Sequence, residues 1–220
     1  MLYAIVKPIV VGIMRLLLTI EGRGTHHIPA TGPVLLVSNH SSVLDPPLVG
    51  GLARRRVNFM AKAELFAIPL FGGFLRRLGA RPIRREGADG GALRSALRVL
   101  REDGVLLVFP EGTRGEEGVL REPKGGAGML AVLSGAAVVP VYVSGSGRAW
   151  PRGRRLPRPA KVRVTFGPAL RFATPAPHQR KEHYELASRE MMAAIARVRD
   201  NSTSESGEYI QGRSRVHGEG

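Results

Sequence analysis

The residues most able to do chemistry form a short run, Ser38-Asn39-His40-Ser41-Ser42-Val43-Leu44-Asp45, directly after the apolar stretch Val34–Ser38. If the chain folds back between strand and helix, His40 and Asp45 can meet. A carboxylate on one imidazole nitrogen fixes the tautomer and leaves the other nitrogen as a base. The run holds a base and its orienter but no protein nucleophile, so the nucleophile would be a hydroxyl of the substrate. Each residue also has an ordinary explanation. An aspartate before Pro46 suits a helix N-cap with proline in the first turn, and a lone histidine is often a hydrogen-bonded structural residue. Taken singly, these explanations outweigh the catalytic one.

A second polar cluster changes that balance. Phe109-Pro110-Glu111-Gly112-Thr113-Arg114 follows the apolar run Val105–Phe109. Its glycine lets backbone approach a ligand, with Glu111 and Arg114 placed around the turn; an ordinary turn with an internal Glu–Arg pair is the competing reading. Downstream, Lys124 precedes Gly125 and Gly126 at the expected start of a helix, where a cation and free amides can cradle an anion. The third cluster is Gly79-Ala80-Arg81-Pro82-Ile83-Arg84-Arg85. In parallel α/β sheets ligands gather at the carboxyl ends of strands, and these clusters follow or adjoin strand ends.

The elements that must position them alternate. Apolar, β-rich runs at Val34–Ser38, Val57–Met60, Ala80–Ile83, Val105–Phe109, Ala137–Val143 and Lys161–Phe166 are separated by helical stretches. Of the helices, 90–101 carries Leu93, Leu97 and Leu100 at helical spacing, and 179–199 reads as a C-terminal one. The runs around Val34 and Val105 are nearly all apolar, as strands buried on both faces require. The pattern predicts an α/β fold: a single layered domain over 23–200 with a mostly parallel sheet flanked by helices.

Residues 1–22 read as an N-terminal apolar helix interrupted by Lys7, Pro8 and Arg15. Two cations and a proline make a full membrane span a poor reading. An interfacial helix with Lys7 and Arg15 snorkelling to headgroups is the better one, and packing on the domain's own core is the alternative. The continuation TIEGRG offers no small-residue cleavage pattern, so the segment is expected to be retained. The apolar segment 65–78 could line an apolar channel, dip into the membrane, or simply pack in the core. Arg148–Pro159 is a basic, proline-rich loop, and 201–220 is expected to be a disordered polar tail.

Composition narrows the partners. With 43% hydrophobic and 23% charged residues the 220-residue chain is globular in type. The absence of cysteine excludes a thiol nucleophile, disulfides and Cys-ligated metals. Adjacent His26 and His27 lack a nearby carboxylate and read as loop residues, so no metal site is expected. A net charge of +15 selects anionic partners: phospholipid headgroups, phosphorylated substrates or nucleic acid. Aromatic residues make up only 5% and do not interleave with basic runs, which argues against a stacking platform for nucleic acid.

The ordered set of motifs resembles the lysophosphatidic acid acyltransferase family, the bacterial 1-acylglycerol-3-phosphate acyltransferases. His40 and Asp45 match its first motif, Phe109–Arg114 its third, and Val138-Val139-Pro140-Val141 its fourth. The matches span residues 33 to about 145. The resemblance implies catalytic His40 and Asp45, with Arg85, Glu111, Gly112, Thr113, Arg114 and Lys124 binding substrate. It implies an acyl-CoA or acyl carrier protein thioester as donor, no resident cofactor or metal, and a lysophospholipid acceptor. It also implies an enzyme on the cytoplasmic face of the cell membrane, peripheral or monotopic, that makes phosphatidic acid. The second motif departs from the family's Gly-x-x-Phe-Ile-Asp-Arg: Pro82 replaces phenylalanine and Arg84 replaces aspartate. That departure keeps other acceptors open, glycerol 3-phosphate or another lyso-lipid.

Overall fold

Along β2 (Val34–Ser38), successive side chains point to opposite faces of the sheet, and every one is buried. Val34 and Leu36 join one apolar cluster, Leu35 and Val37 another. A strand in that position must be central and covered on both sides. The computed structural model describes residues 2–69, 71–77, 79–83, 90–173 and 175–216.

The other strands are β1 (Leu18–Arg23), β3 (Val57–Lys62), β4 (Ala80–Ile83), β5 (Val105–Val108), β6 (Ala137–Ser144) and β7 (Ala160–Phe166). They form one seven-stranded sheet in the order β1-β7-β6-β2-β5-β3-β4. Neighbours pair in parallel except β6 with β7. On one face lie α1 (Leu2–Leu17), α2 (Asp45–Leu52) and the short α6 (Ser146–Ala149), which contribute Met14, Leu48, Val49 and Ala149 to the first cluster. On the other face lie α4 (Gly90–Arg101), α5 (Gly126–Ser134) and α7 (Arg180–Val216), which contribute Leu100, Leu130, Met191 and Ile195 to the second. The expected α/β layering is therefore present as helix, sheet, helix. Gly128 shows how tight the outer layer is: a Cβ there would lie 1.9 Å from the Tyr184 carbonyl oxygen, so only glycine lets α5 meet α7.

Three expectations change. The N-terminal helix ends at Leu17, and Leu18–Arg23 is an edge strand parallel to β7. Leu18 and Ile20 face the core while Thr19 is exposed and Glu21 pairs with Arg163 at 2.9 Å, a period-two pattern too short to stand out from the apolar run before it. Lys7 does not reach outward: its Nζ donates to the Ala53 carbonyl at 2.6 Å, and burial lowers its pKa. Helix α1 packs on the core through Val11 and Met14 yet leaves Leu16 85% exposed. The polar tail expected from 201 continues α7 to Val216, since a helix nucleated by its packed half propagates at little cost.

Of the segment 65–78, residues 70 and 78 lie outside the described residues; the rest includes the end of a 3-10 turn (Ala63–Ala67) and α3 (Phe71–Arg77). Phe66 and Leu75 form a small cluster with Ala80, while Leu65 and Ile68 are exposed. Among the described residues no helix is long and apolar enough to cross a membrane.

Candidate active site

Register brings the site together. Val37 of β2 lies beside Val108 of β5 and Pro140 of β6, so the chain leaves all three strands at the same sheet edge. The turns that follow, 39–44, 109–125 and 145–147, therefore share one region.

Asn39 fastens the first turn to β6. Its Nδ2 donates to the Val143 carbonyl at 2.9 Å and its Oδ1 accepts the Val143 N–H at 2.8 Å. The turn then folds back as its chemistry requires. His40 Nδ1 lies 2.8 Å from Asp45 Oδ2. The N–H groups of Ser41 and Ser42 donate to that same oxygen, each at 2.8 Å. A carboxylate oxygen only accepts, so Nδ1 carries the hydrogen and Nε2 is left with its lone pair. Asp45 is the first residue of α2 and fully buried, so its carboxylate reaches backward over the turn instead of capping the helix from outside. The imidazole stacks on Phe109, with ring centroids 3.9 Å apart and planes 16° from parallel.

The second turn grips the first. Glu111 Oε1 accepts the His40 N–H at 3.1 Å, and Gly115 N–H donates to the His40 carbonyl at 2.7 Å. Glu111 is buried, and that burial raises its pKa against the pull of the His40 and Arg121 amides. Gly112 takes φ +69°, and a Cβ there would lie 2.8 Å from Lys124 Cδ; the lysine therefore lies directly over the glycine. Lys124 N–H closes the loop onto Pro110 O at 2.8 Å, just ahead of α5. Thr113 and Arg114 occupy the same turn, half-buried.

Of the residues expected at the site, His40, Asp45, Glu111, Gly112, Thr113, Arg114 and Lys124 converge on these two turns. Arg85 lies outside the described residues. His26 and His27 form a 3-10 turn in which His27 Nδ1 lies 2.8 Å from the Phe166 carbonyl oxygen. The sequence reading missed the Asn39 clamp, the Phe109 stack and Glu117, whose partners are 28 to 104 residues away. Among the described residues no group of His, Asp or Glu is placed to hold a metal ion.

A buried carboxylate that fixes one imidazole nitrogen, at the carboxyl edge of a parallel sheet, is equipment for removing a proton from a bound hydroxyl. Comparison with known proteins agrees with that class: the acyltransferase family model matches residues 19–144, and the chain belongs to that family. The 1-acyl-sn-glycerol-3-phosphate acyltransferase of Bacillus subtilis is 28% identical over 170 residues, 77% of this chain and 78% of that protein. The lyso-ornithine lipid O-acyltransferase of Pseudomonas aeruginosa is 39% identical over 113 residues, 51% of this chain and 43% of that protein. The crystal structure of the 1-acyl-sn-glycerophosphate acyltransferase from Thermotoga maritima superposes with a TM-score of 0.67 at 27% identity, covering 86% of this chain and 78% of that one. Of several plant relatives and that of Streptococcus pneumoniae, the chain spans only 37% to 55% of their length.

Proposed function

We propose that this chain transfers a fatty acyl group from an acyl-CoA or acyl carrier protein thioester to the free hydroxyl of 1-acylglycerol 3-phosphate, giving phosphatidic acid. The observation that carries the reading is the His40–Asp45 pair, fixed by three N–H groups on one carboxylate oxygen. His40 Nε2 takes the proton of the acceptor hydroxyl as that oxygen attacks the thioester carbonyl. The C–O bond forms, and the tetrahedral intermediate collapses with loss of the thiolate. The imidazolium, stabilised by Asp45, then returns its proton to the sulfur. Lys124 over Gly112, with Arg114 and Arg85, would bind the acceptor phosphate, and buried Glu111 holds the main chain of the base itself. No cofactor or metal enters these steps.

The reaction is proposed to run on the cytoplasmic face of the membrane. An open, wholly apolar cavity of about 260 Å³ lies beside the turn, lined by Met14, Leu17, Leu18, Leu44, Pro47 and Trp150. Leu16, Val43 and Leu156, next in sequence to the lining residues Leu17 and Leu44 and to Pro157, are exposed; Arg15 and Arg155 adjoin two of them, with Arg152 and Arg154 in the same loop. Exposed leucines fringed by arginines suit a peripheral or monotopic seat on anionic lipid.

Purified protein in mixed micelles with lysophosphatidate and acyl-CoA tests the reading. Thiol release with phosphatidate formation, lost in folded His40→Ala, supports it. Silence with both donor types and a panel of lyso-lipids would sink it. A second acceptor class deserves its place in that panel. The similarity to the lyso-ornithine lipid enzyme supports an amino-acid lyso-lipid as that alternative, and the altered second motif leaves the acceptor open.

A further inference from the structure

Glu117 is absent from the chemistry described so far, yet it ties the two turns of the site to a third. One carboxylate oxygen, Oε1, accepts the Gly145 N–H. The other, Oε2, accepts the Gly147 N–H at 2.7 Å and the Ser41 hydroxyl at 3.3 Å. Ser41 Oγ lies a further 3.0 Å from Ser146 Oγ. The packing leaves no slack, since a Cβ on Gly147 would lie 2.6 Å from Glu117 Oε2 and 3.1 Å from Ser41 Cβ.

Ser41 links this network to the base. Its side chain meets Glu117, while its own N–H donates to Asp45 Oδ2 at 2.8 Å, the oxygen that also holds His40 Nδ1. The loop carrying Glu117 already holds His40 on both sides, through Glu111 Oε1 and Gly115 N–H. Fixing the next residue completes a rail: the N–H of His40, its carbonyl, and the Ser41 hydroxyl are all held by residues 111–117. We infer that Glu117 is a positioning residue for the acyl transfer, holding Ser41, and through it the Asp45–His40 pair, against the turn that ends β6. It touches no reacting atom. The inference rests on the proposed transferase reading only for its kinetic arm.

The test uses full-length Glu117→Ala, Glu117→Gln and Ser41→Ala. Misplacement of a reacting group by about 1 Å costs on the order of 10²-fold. Glu117→Ala should therefore lower kcat by about 10- to 100-fold and leave both KM values within about threefold. Ser41→Ala should lower kcat less. The double variant should be no worse than Glu117→Ala by more than about twofold, because the Ser41 hydroxyl acts through its contact with Glu117. A kcat within threefold of wild type in folded Glu117→Ala overturns the inference. So does a loss carried wholly by KM, or losses that multiply in the double variant.

An arm independent of turnover is the proton spectrum of the His40 ring, assigned by its disappearance in His40→Ala. Wild type should show a protected Nδ1–H held by Asp45, and Glu117→Ala should broaden or lose it. An unchanged Nδ1–H signal in Glu117→Ala overturns the positioning role even if no acceptor is ever found. If Glu117→Ala does not fold, Glu117→Gln carries both arms. It keeps one acceptor oxygen but sets an NH₂ against an N–H or the hydroxyl, and the same two outcomes decide.

Discussion

Replacing Asp45 with asparagine separates the charge of this site from its shape. The carboxylate is fully buried, and Oδ2 receives N–H groups from His40, Ser41 and Ser42. Asparagine has one oxygen to serve those three donors, so its carbonyl must take the Oδ2 place. The NH₂ then falls where Oδ1 stood, an atom with no hydrogen-bond partner among the described residues. An unpaired buried donor costs about 1–3 kcal/mol, which for a domain of this size lowers Tm by about 2–4 °C for each kcal/mol. The larger effect is on the reaction. The imidazolium that forms as the hydroxyl proton leaves would face a neutral amide in place of a carboxylate. Two unit charges about 4 Å apart at an effective dielectric of about 20 attract by about 4 kcal/mol, which at about 1.4 kcal/mol per decade is about three decades of rate. Asp45→Asn should accordingly lose about 10³-fold in kcat, with KM for donor and acceptor changed only a few-fold. Thiol release from acyl-CoA in mixed micelles measures both constants, and circular dichroism reports folding. A folded Asp45→Asn protein with kcat within tenfold of wild type would show that the carboxylate does not supply the attraction reasoned above, and the mechanism would fall with it.

Burial raises the Glu111 pKa in the folded state, so the native protein binds that proton more tightly than the unfolded chain. The sign follows: stability associated with the protonated form is complete below the ordinary value of 4.5 and is lost as pH rises through the raised one. Glu111→Gln, which stays neutral, should therefore be spared this loss, and its Tm relative to wild type should climb as pH is raised from 4; a flat difference would refute the assignment. Gly128→Ala should destabilise by about 1–3 kcal/mol through overpacking of α5 on α7, read as a fall in the urea midpoint, and an unchanged midpoint would show that the helices separate freely. Each of Arg152, Arg154 and Arg155 near an anionic bilayer is worth about 1 kcal/mol, so replacing all three with glutamine should weaken binding to anionic vesicles at least tenfold and leave binding to neutral vesicles unaffected. Equal binding by both proteins would remove that loop from the lipid surface.

The parts of this molecule legible in its sequence are those whose signal is local. β2 and β5 are readable because strands buried on both faces must be apolar throughout, and Val34–Val37 and Val105–Leu107 are. The His40–Asp45 pair is readable because five residues around a turn suffice to close it. β1 escapes because its partner is more than a hundred residues away, Leu18 opposite Ala160, and its own alternation is brief. The length of α7 escapes because composition measures whether a segment can nucleate alone, whereas here the nucleus is supplied by Met191 and Ile195 packed on the sheet.

Glu117 marks where local reading ends. In sequence it is one of two adjacent glutamates in a glycine-flanked loop, with the look of a solvated turn. Its role exists only because β2, β5 and β6 are neighbours in register, so that turns beginning near residues 39, 109 and 145 leave the sheet side by side. Parallel strands impose that arrangement on any loops they carry: the sheet fixes where the loops start, and long-range polar contacts fix where they stop. Here those contacts are carboxylates accepting backbone N–H groups. Glu111 takes that of His40, Asp45 those of Ser41 and Ser42, and Glu117 those of Gly145 and Gly147. Three acidic side chains in a chain of net charge +15 are thus spent on main-chain donors around one imidazole. Backbone donors do not change with the surrounding side chains, so such a frame holds the imidazole in place whatever side chains surround it.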